Sequence, residues 1–166
     1  MTEIETAIAD NRAAVEEFVA AARGVDGTSW NTPRGEGKWS PAQVVEHLAL
    51  VYEYNRKVVT GTAGKGAPKV LQPLARWFIV TKTLKAGAFT RKGRAPGIFQ
   101  PTATPAAATA TLTRLTTALA GFENAIRSGH PEGRHNVAHP FFGTLPTTDY
   151  LRLQAIHARH HRSQLT

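Results

Sequence analysis

Two histidines that stand four residues apart near the C-terminal end of this chain of 166 residues, His157 and His161, could together hold a metal ion. If this stretch is helical, the two side chains lie one turn apart on the same helix face. Two imidazoles in this arrangement can bind a divalent ion when a third ligand comes from elsewhere in the chain. Their neighbour His160 is one residue off that face, and we expect it to face solvent or the edge of a neighbouring helix. The spacing by itself is equally compatible with a chance pair.

The composition limits the ligands that such a site can use. The chain has no cysteine, so disulfides, thiolate metal sites and cysteine nucleophiles are all excluded. A metal ion would therefore have nitrogen and oxygen ligands, for which the seven histidines are the obvious source.

His47 is the candidate for the third ligand. A helix is predicted to begin at Ser40, with Ser40 as the N-cap, Pro41 at the first helical position and Gln43 completing a capping box. His47 shares the apolar face of this helix with Leu48 and Val51, so we expect it to point towards the core. A lone histidine on an apolar face is usually a core residue. If the helices of His47 and His157 are neighbours, however, the three imidazoles can converge and leave coordination positions open.

The helical pattern predicts an all-α fold. Apolar side chains recur at helical spacing in four long segments and one short one. These segments are residues 2–23, 40–58, 104–126 and 147–165, with the short helix from Pro73 to about Lys85, whose predicted buried stripe includes Leu74, Trp77 and Phe78. No segment indicates a strand pair. We therefore predict a single-domain four-helix bundle over residues 1–166, with a short extra helix and a long basic loop (87–101) between the second and third long helices.

The positive charge is concentrated in the middle of the chain. The net charge is +8, and no acidic residue occurs between Glu53 and Glu123. Eight basic residues cluster in the middle of this stretch: Lys65, Lys69, Arg76, Lys82, Lys85, Arg91, Lys92 and Arg94. They could attract a small acidic substrate, nucleic acid or a membrane surface, or simply form a solvated face.

Two of these partners are not expected. Trp77, Phe78 and Phe89 lie between basic residues, as in single-strand binding platforms, but Trp77 and Phe78 fit a buried stripe better and no nucleic-acid motif accompanies them. No apolar run approaches the length that spans a bilayer, and the N-terminus lacks the pattern of a signal peptide. We expect a cytoplasmic protein without a membrane partner.

Three motifs resemble the DinB-like superfamily of metal-binding helical bundles. They are the segments Lys38–Leu48 (KWSPAQVVEHL), His139–Leu145 (HPFFGTL) and His157–Leu165 (HARHHRSQL). The second is similar to a His-Pro-x-Phe-Gly segment found in one branch before the last helix. The resemblance implies an up-down-down-up bundle, a metal triad of His47, His157 and His161, nickel or zinc as the metal with iron or manganese as further choices, and a homodimer.

The resemblance also implies several kinds of chemistry. Relatives include thiol S-transferases and metal hydrolases, so we expect a small-molecule substrate, with an anionic low-molecular-weight thiol as one candidate. Tyr150, Gln154 and Asn55 lie within two helical turns of the histidines and are candidates for lining the pocket. The alternative is a non-catalytic protein in which the metal stabilises the bundle or a dimer, or in which the bundle binds a small ligand. No role is predicted for His139.

Overall fold

The structure is a computed structural model that describes residues 2–64, 68–89, 93–129 and 135–165. The described chain is mostly helical, as predicted, with one small two-stranded sheet. Its elements are α1 (Glu3–Arg23), α2 (Pro41–Val59), α3 (Gln72–Ala75), a π-helical turn (Arg76–Thr81), α4 (Lys82–Ala86), a 3-10 turn (Gly97–Phe99), α5 (Ala108–Gly129), β1 (Asn136–His139), β2 (Gly143–Pro146) and α6 (Thr147–Arg162). The predicted basic residues Lys65, Arg91 and Lys92 lie outside the described ranges. No described helix is both long enough and apolar enough to cross a bilayer.

The four long helices bury the apolar faces that the sequence predicts. α1 packs mainly against α6, and α2 packs mainly against α5. The capping box of α2 is present, because Ser40 Oγ accepts the Gln43 amide and Gln43 Oε1 accepts the Ser40 amide. The fully buried side chains between the helices include Phe18, Leu48, Tyr52, Leu115, Phe122 and Tyr150.

α5 begins at Ala108, four residues after the predicted start at Thr104. The preceding chain is bound to α2 instead. The amide and the hydroxyl of Thr102 each donate to Glu46 Oε2 at 2.9 Å, and Gln43 Nε2 donates to the Thr102 carbonyl at 3.1 Å. These bonds satisfy the Thr102 backbone outside a helix. α6 likewise ends at Arg162, before the predicted Leu165.

The predicted absence of strands is wrong. β1 and β2 form an antiparallel hairpin in which Val137 pairs with Leu145 and His139 pairs with Gly143. Gly143 has a φ of 71°, a left-handed conformation that favours glycine. Each strand has only four residues, which is too short for an alternating pattern to stand out in the sequence.

The short helix after α2 exposes side chains that were expected to be buried. Val80 and Thr83 are buried, but Leu74 and Trp77 are 56% and 52% exposed. The predicted stripe is therefore wrong at these two positions. The π-helical turn has more residues per turn than an α-helix and so changes which side chains share a face.

Arginines pair with carboxylates across the helix interfaces. Arg159 binds Asp10 and Arg162 binds Glu17 between α6 and α1, Arg127 binds Glu5 and Arg12 binds Glu123 between α5 and α1, and Arg114 binds Glu53 and Glu46 between α5 and α2. Pairs in which both side chains are exposed, such as Arg159 with Asp10 and Arg162 with Glu17, each contribute about 1 kcal/mol or less, whereas the carboxylates of Glu123 and Glu46 are buried. The main consequence of all these pairs is that at least six of the twelve acidic side chains are neutralised within the molecule.

Candidate metal centre

The two histidines of α6 face each other as their spacing predicts. The Nε2 atoms of His157 and His161 are 2.9 Å apart, and the ring centroids are 4.6 Å apart. His161 is buried and His157 is half-buried, so the pair lies at the inner face of α6. The helix therefore presents two imidazole nitrogens at one point.

His47 reaches the same point from α2. Its ring centroid lies 5.4 Å from that of His157 and 4.7 Å from that of His161. One ligand nitrogen from each of the three residues lies within 4.8 Å of the other two. The structure thus brings together three ligands that could hold a metal ion, and they are the three that the sequence predicts.

Hydrogen bonds on the far side of two rings set their tautomers. His47 Nδ1 lies 2.7 Å from the Phe99 carbonyl oxygen, and His161 Nδ1 lies 2.9 Å from Gln164 Oε1. These oxygens can only accept, so each Nδ1 carries the hydrogen and each Nε2 keeps its lone pair. A carbonyl partner of this kind is the usual support of a metal-binding histidine. The donor set therefore fits a divalent ion.

Burial keeps the three rings neutral. It is the main reason that the pKa of His161 falls to about 3, and the nearby His47 adds to the effect. Burial, followed by the neighbouring His161 and His47, lowers the pKa of His157 well below its ordinary value. Burial also lowers the pKa of His47, although the Phe99 carbonyl partly opposes this. Neutral imidazole is the form that binds metal, so the site is ready for an ion at neutral pH.

Aromatic rings form the walls of the site. The Trp39 ring, just before α2, lies 4.8 Å from His47, and the Phe89 ring, just after α4, lies 5.5 Å from His157. Such rings exclude water and provide no competing ligand. The three histidines are therefore the group that could hold the ion, and they leave coordination positions open.

The predicted pocket residues lie deeper than a pocket lining would. Tyr150 is fully buried and its hydroxyl donates to Asn55 Oδ1 at 2.6 Å, which ties α6 to α2. Burial raises the pKa of Tyr150 well above its ordinary value. Gln154 is also buried, one turn before His157. Asn55 Nδ2 has no hydrogen-bond partner among the described residues. A role for these three residues at the metal stays a prediction.

Gln164 and Phe99 are the functional candidates that sequence reasoning missed. The Gln164 amide group also lies 3.2 Å from His160 Nε2, so one side chain joins His161 to the exposed His160. The spacing could have indicated the contact of Gln164 with His161, because Gln164 follows His161 by three residues on the same face of the predicted helix. No sequence pattern indicated Phe99, since its backbone carbonyl reaches His47 only after the predicted loop folds over α2.

We expect Gln164→Leu to weaken metal binding about 10- to 100-fold, as loss of a hydrogen bond to a metal-binding histidine typically does. The substitution keeps the side-chain size but removes the oxygen that accepts from His161 Nδ1. Competition with a chromophoric chelator measures the affinity. Ser163→Ala, at the adjacent exposed position, is the control and should bind as the wild type does. Equal affinities for all three proteins would contradict the assigned role.

His139 lies outside this group and has the surroundings of a core histidine. Its ring stacks on Phe142 with centroids 4.4 Å apart and lies 5.7 Å from that of Tyr150. Its Nδ1 accepts the Phe141 amide at 3.1 Å. Burial lowers its pKa from 6.5 to about 4. The unfolded chain therefore takes up a proton at this residue between those two pH values while the folded chain does not.

Acid should consequently destabilise the protein through His139. As the pH falls through 6.5 towards 4, stability is lost, and His139→Phe should remove about 2.5 kcal/mol of the loss between pH 7.5 and 4.5. Urea unfolding of both proteins with chelator at both pH values measures the difference. The other buried histidines titrate in both proteins, so their contributions to the pH dependence of stability cancel when the two proteins are compared. If the free energy of unfolding falls by the same amount in both proteins between the two pH values, the expectation is contradicted.

Comparison with known proteins identifies one family. The profile of a family described as "Protein of unknown function (DUF1569)" matches residues 10–166, which include all three histidines. Neither the search of curated proteins nor the search of solved structures returns a match.

Proposed function

The chain belongs to the DUF1569 family of unknown function, and we propose that it is a DinB-like metalloprotein that binds one divalent ion through His47, His157 and His161. The observation that carries this proposal is the convergence of three imidazole nitrogens within 4.8 Å, two of them with the tautomer set by a carbonyl partner. Nickel or zinc is the metal we propose first, with iron or manganese as further choices. Imidazole ligands suit all of these ions.

The long helices support the DinB-like assignment. α1 and α6 form one packed pair, α2 and α5 form another, and the candidate ligands come from one helix of each pair. This arrangement is compatible with the four-helix bundle that the three motifs imply. The short helical elements and the 3-10 turn fall between α2 and α5, where the sequence predicts the insertion.

We propose further that the site is catalytic. Three protein ligands with open positions are typical of catalytic rather than structural zinc sites. A bound divalent ion would supply Lewis-acid chemistry by lowering the pKa of a thiol or a water molecule in an open position. The chain's own residues would orient the ligands through Phe99 and Gln164 and limit water through Trp39 and Phe89. Thiol S-transfer and hydrolysis are the proposed reaction types, on a small-molecule substrate.

Positive charge supports an anionic substrate. No acidic residue occurs between Glu53 and Glu123, and this segment contributes Phe89 and Phe99 to the site. A low-molecular-weight thiol with carboxylates would meet this positive potential on approach. The homodimer and the cytoplasmic location stay predictions.

The alternative is a metal site that only stabilises the fold. It is favoured by the burial of His47 and His161 and by their position between two helices, where an ion would act as a cross-link. An ion that binds only the folded chain raises stability by mass action. A chelator-sensitive melting temperature, without metal-dependent turnover of any thiol or ester in a substrate panel, would select this alternative over catalysis.

Metal analysis tests the proposed site directly. Protein purified without a nickel column should contain stoichiometric metal, as should His160→Ala, whose substituted residue lies one position from His161 outside the triad. His157→Ala should contain much less, because only two ligands remain. Inductively coupled plasma mass spectrometry measures the content. Equal metal in wild type and His157→Ala would refute the site.

A further inference from the structure

Exposed apolar side chains are concentrated in one short segment, residues 69–85, which is termed the basic helical segment below. Five of the six large apolar side chains exposed in the described chain occur within ten consecutive residues, and the sixth is Ile98 at 55%. The five are Val70 at 82%, Leu71 at 51%, Leu74 at 56%, Trp77 at 52% and Ile79 at 42%. Single exposed apolar residues are ordinary, but a cluster of this kind marks an interaction surface.

The same segment is strongly cationic. It contains Lys69, Arg76, Lys82 and Lys85 and lies within a stretch that has no acidic residue. Lys82 Nζ lies 4.5 Å from the centroid of the Trp77 ring, so a cation and an exposed aromatic ring share one face. An open groove of about 360 Å³ between this segment and the hairpin is lined by Lys69, Arg76 and Phe142, among others. The partner of this surface should therefore combine negative charge with apolar material.

The inner side of the segment is fixed to the protein. Val80 and Thr83 are buried, and α4 packs against α6. Arg76 donates to the Thr144 carbonyl at 3.0 Å, which ties the π-helical turn to β2. The apolar cluster is thus displayed by an attached element, and the π-helical geometry at its centre is a feature often found at functional sites.

A second copy of the chain does not match this surface. A symmetric contact would place the four cations of one segment against the same four of the other. Carboxylates elsewhere are poor partners, because at least six of the twelve are already paired with arginines. Nucleic acid supplies negative charge, but its phosphates give no burial to Val70, Leu71 and Leu74.

We propose that the basic helical segment binds the surface of a membrane that contains anionic lipid. Leu71, Leu74 and Trp77 would enter the boundary between headgroups and acyl chains, while Lys69, Lys82 and Lys85 contact the lipid phosphates. Basic residues beside Trp and Leu are the combination that surface-bound helices use. This proposal replaces the sequence-based expectation of no membrane partner, which rested on the absence of an apolar run long enough to span a bilayer and did not consider binding to the membrane surface. It does not depend on the proposed metal.

Vesicle co-sedimentation tests the proposal with the full chain. The protein should bind vesicles of phosphatidylcholine mixed with phosphatidylglycerol, bind vesicles of phosphatidylcholine alone much more weakly, and dissociate as salt is added. Trp77 provides a second readout, because its fluorescence should shift to the blue when the exposed indole leaves water. Trp30 is buried and Trp39 is half-buried against His47, so Trp77 is the most exposed of the three tryptophans, and a Trp39→Phe background isolates its shift.

Paired variants separate the two contributions. Lys82→Gln/Lys85→Gln should weaken binding roughly 30-fold, at about 1 kcal/mol for each basic residue. Leu71→Ser/Leu74→Ser should weaken it at least about tenfold, because two apolar side chains no longer leave water. Arg23→Gln/Lys57→Gln removes the same charge from exposed positions outside the segment and should bind as the wild type does. Unchanged melting temperatures confirm that all variants fold.

Three results would overturn the proposal. They are absence of binding to the mixed vesicles, equal binding to both kinds of vesicle, and unchanged binding of either segment variant. Light scattering after size exclusion tests whether a second copy of the chain binds this surface. A wild-type dimer that Leu71→Ser/Leu74→Ser converts to a monomer would assign the surface to self-association. A single-stranded oligonucleotide that competes with vesicles and binds independently of Leu71 and Leu74 would assign it to nucleic acid.

Discussion

His47→Ala should abolish the stabilisation of this protein by divalent metal. At a free metal concentration one hundred times Kd, binding to the folded state adds about 2.7 kcal/mol to the free energy of unfolding. For a chain of this size, that gain corresponds to a rise in melting temperature of roughly 5–11 °C. The variant keeps His157 and His161 but lacks the ligand from α2, so its melting temperature should not respond to the same metal concentration.

His47 is the most informative of the three ligands to change. The α6 pair is local and would form in any helix, whereas His47 contributes only if α2 and α6 bring their inner faces together. Differential scanning fluorimetry with and without zinc or nickel measures the shift, and His160→Ala serves as the control that should respond normally. An equal metal-induced shift in His47→Ala would show that the ion binds elsewhere.

Phe122→Ala should produce the largest loss of stability among single substitutions in the core. Phe122 is fully buried on α5, and its ring packs edge to face against Tyr52 of α2 at 5.7 Å and Tyr150 of α6 at 6.0 Å. Truncation removes contacts to both helices and leaves a cavity, which typically costs about 3–5 kcal/mol. The melting temperature should fall by roughly 6–20 °C.

The matched control is Phe122→Leu, which keeps most of the volume and should cost much less than the alanine variant. Chemical unfolding measures both. Because the candidate metal ligands are elsewhere, the metal-induced increase in stability should be the same in both variants as in the wild type. A loss of metal response in Phe122→Ala, with the fold retained, would show that the core and the site are coupled.

The sequence was sufficient to predict the long helices. α1, α2, α5 and α6 have apolar faces at helical spacing, and the capping box at Ser40 marks the start of α2. These signals involve residues at most four positions apart, so they can be detected in a short stretch of sequence without knowledge of the fold. For the same reason the alignment of His157 with His161 could be predicted from one helical turn. His47 was identified because a histidine on an apolar face stands out and because its segment resembles a known motif.

Only the tertiary structure decided what surrounds these histidines and which apolar side chains stay in water. The Phe99 carbonyl that orients His47 belongs to a residue 52 positions away. Trp77 has the sequence signature of a core residue, yet no described element covers it, and it is 52% exposed. Burial depends on which helices meet, and that is decided by packing between distant segments. The sequence therefore determined which histidines are the candidate metal ligands, and the fold determined their orientation and the exposure of the basic helical segment.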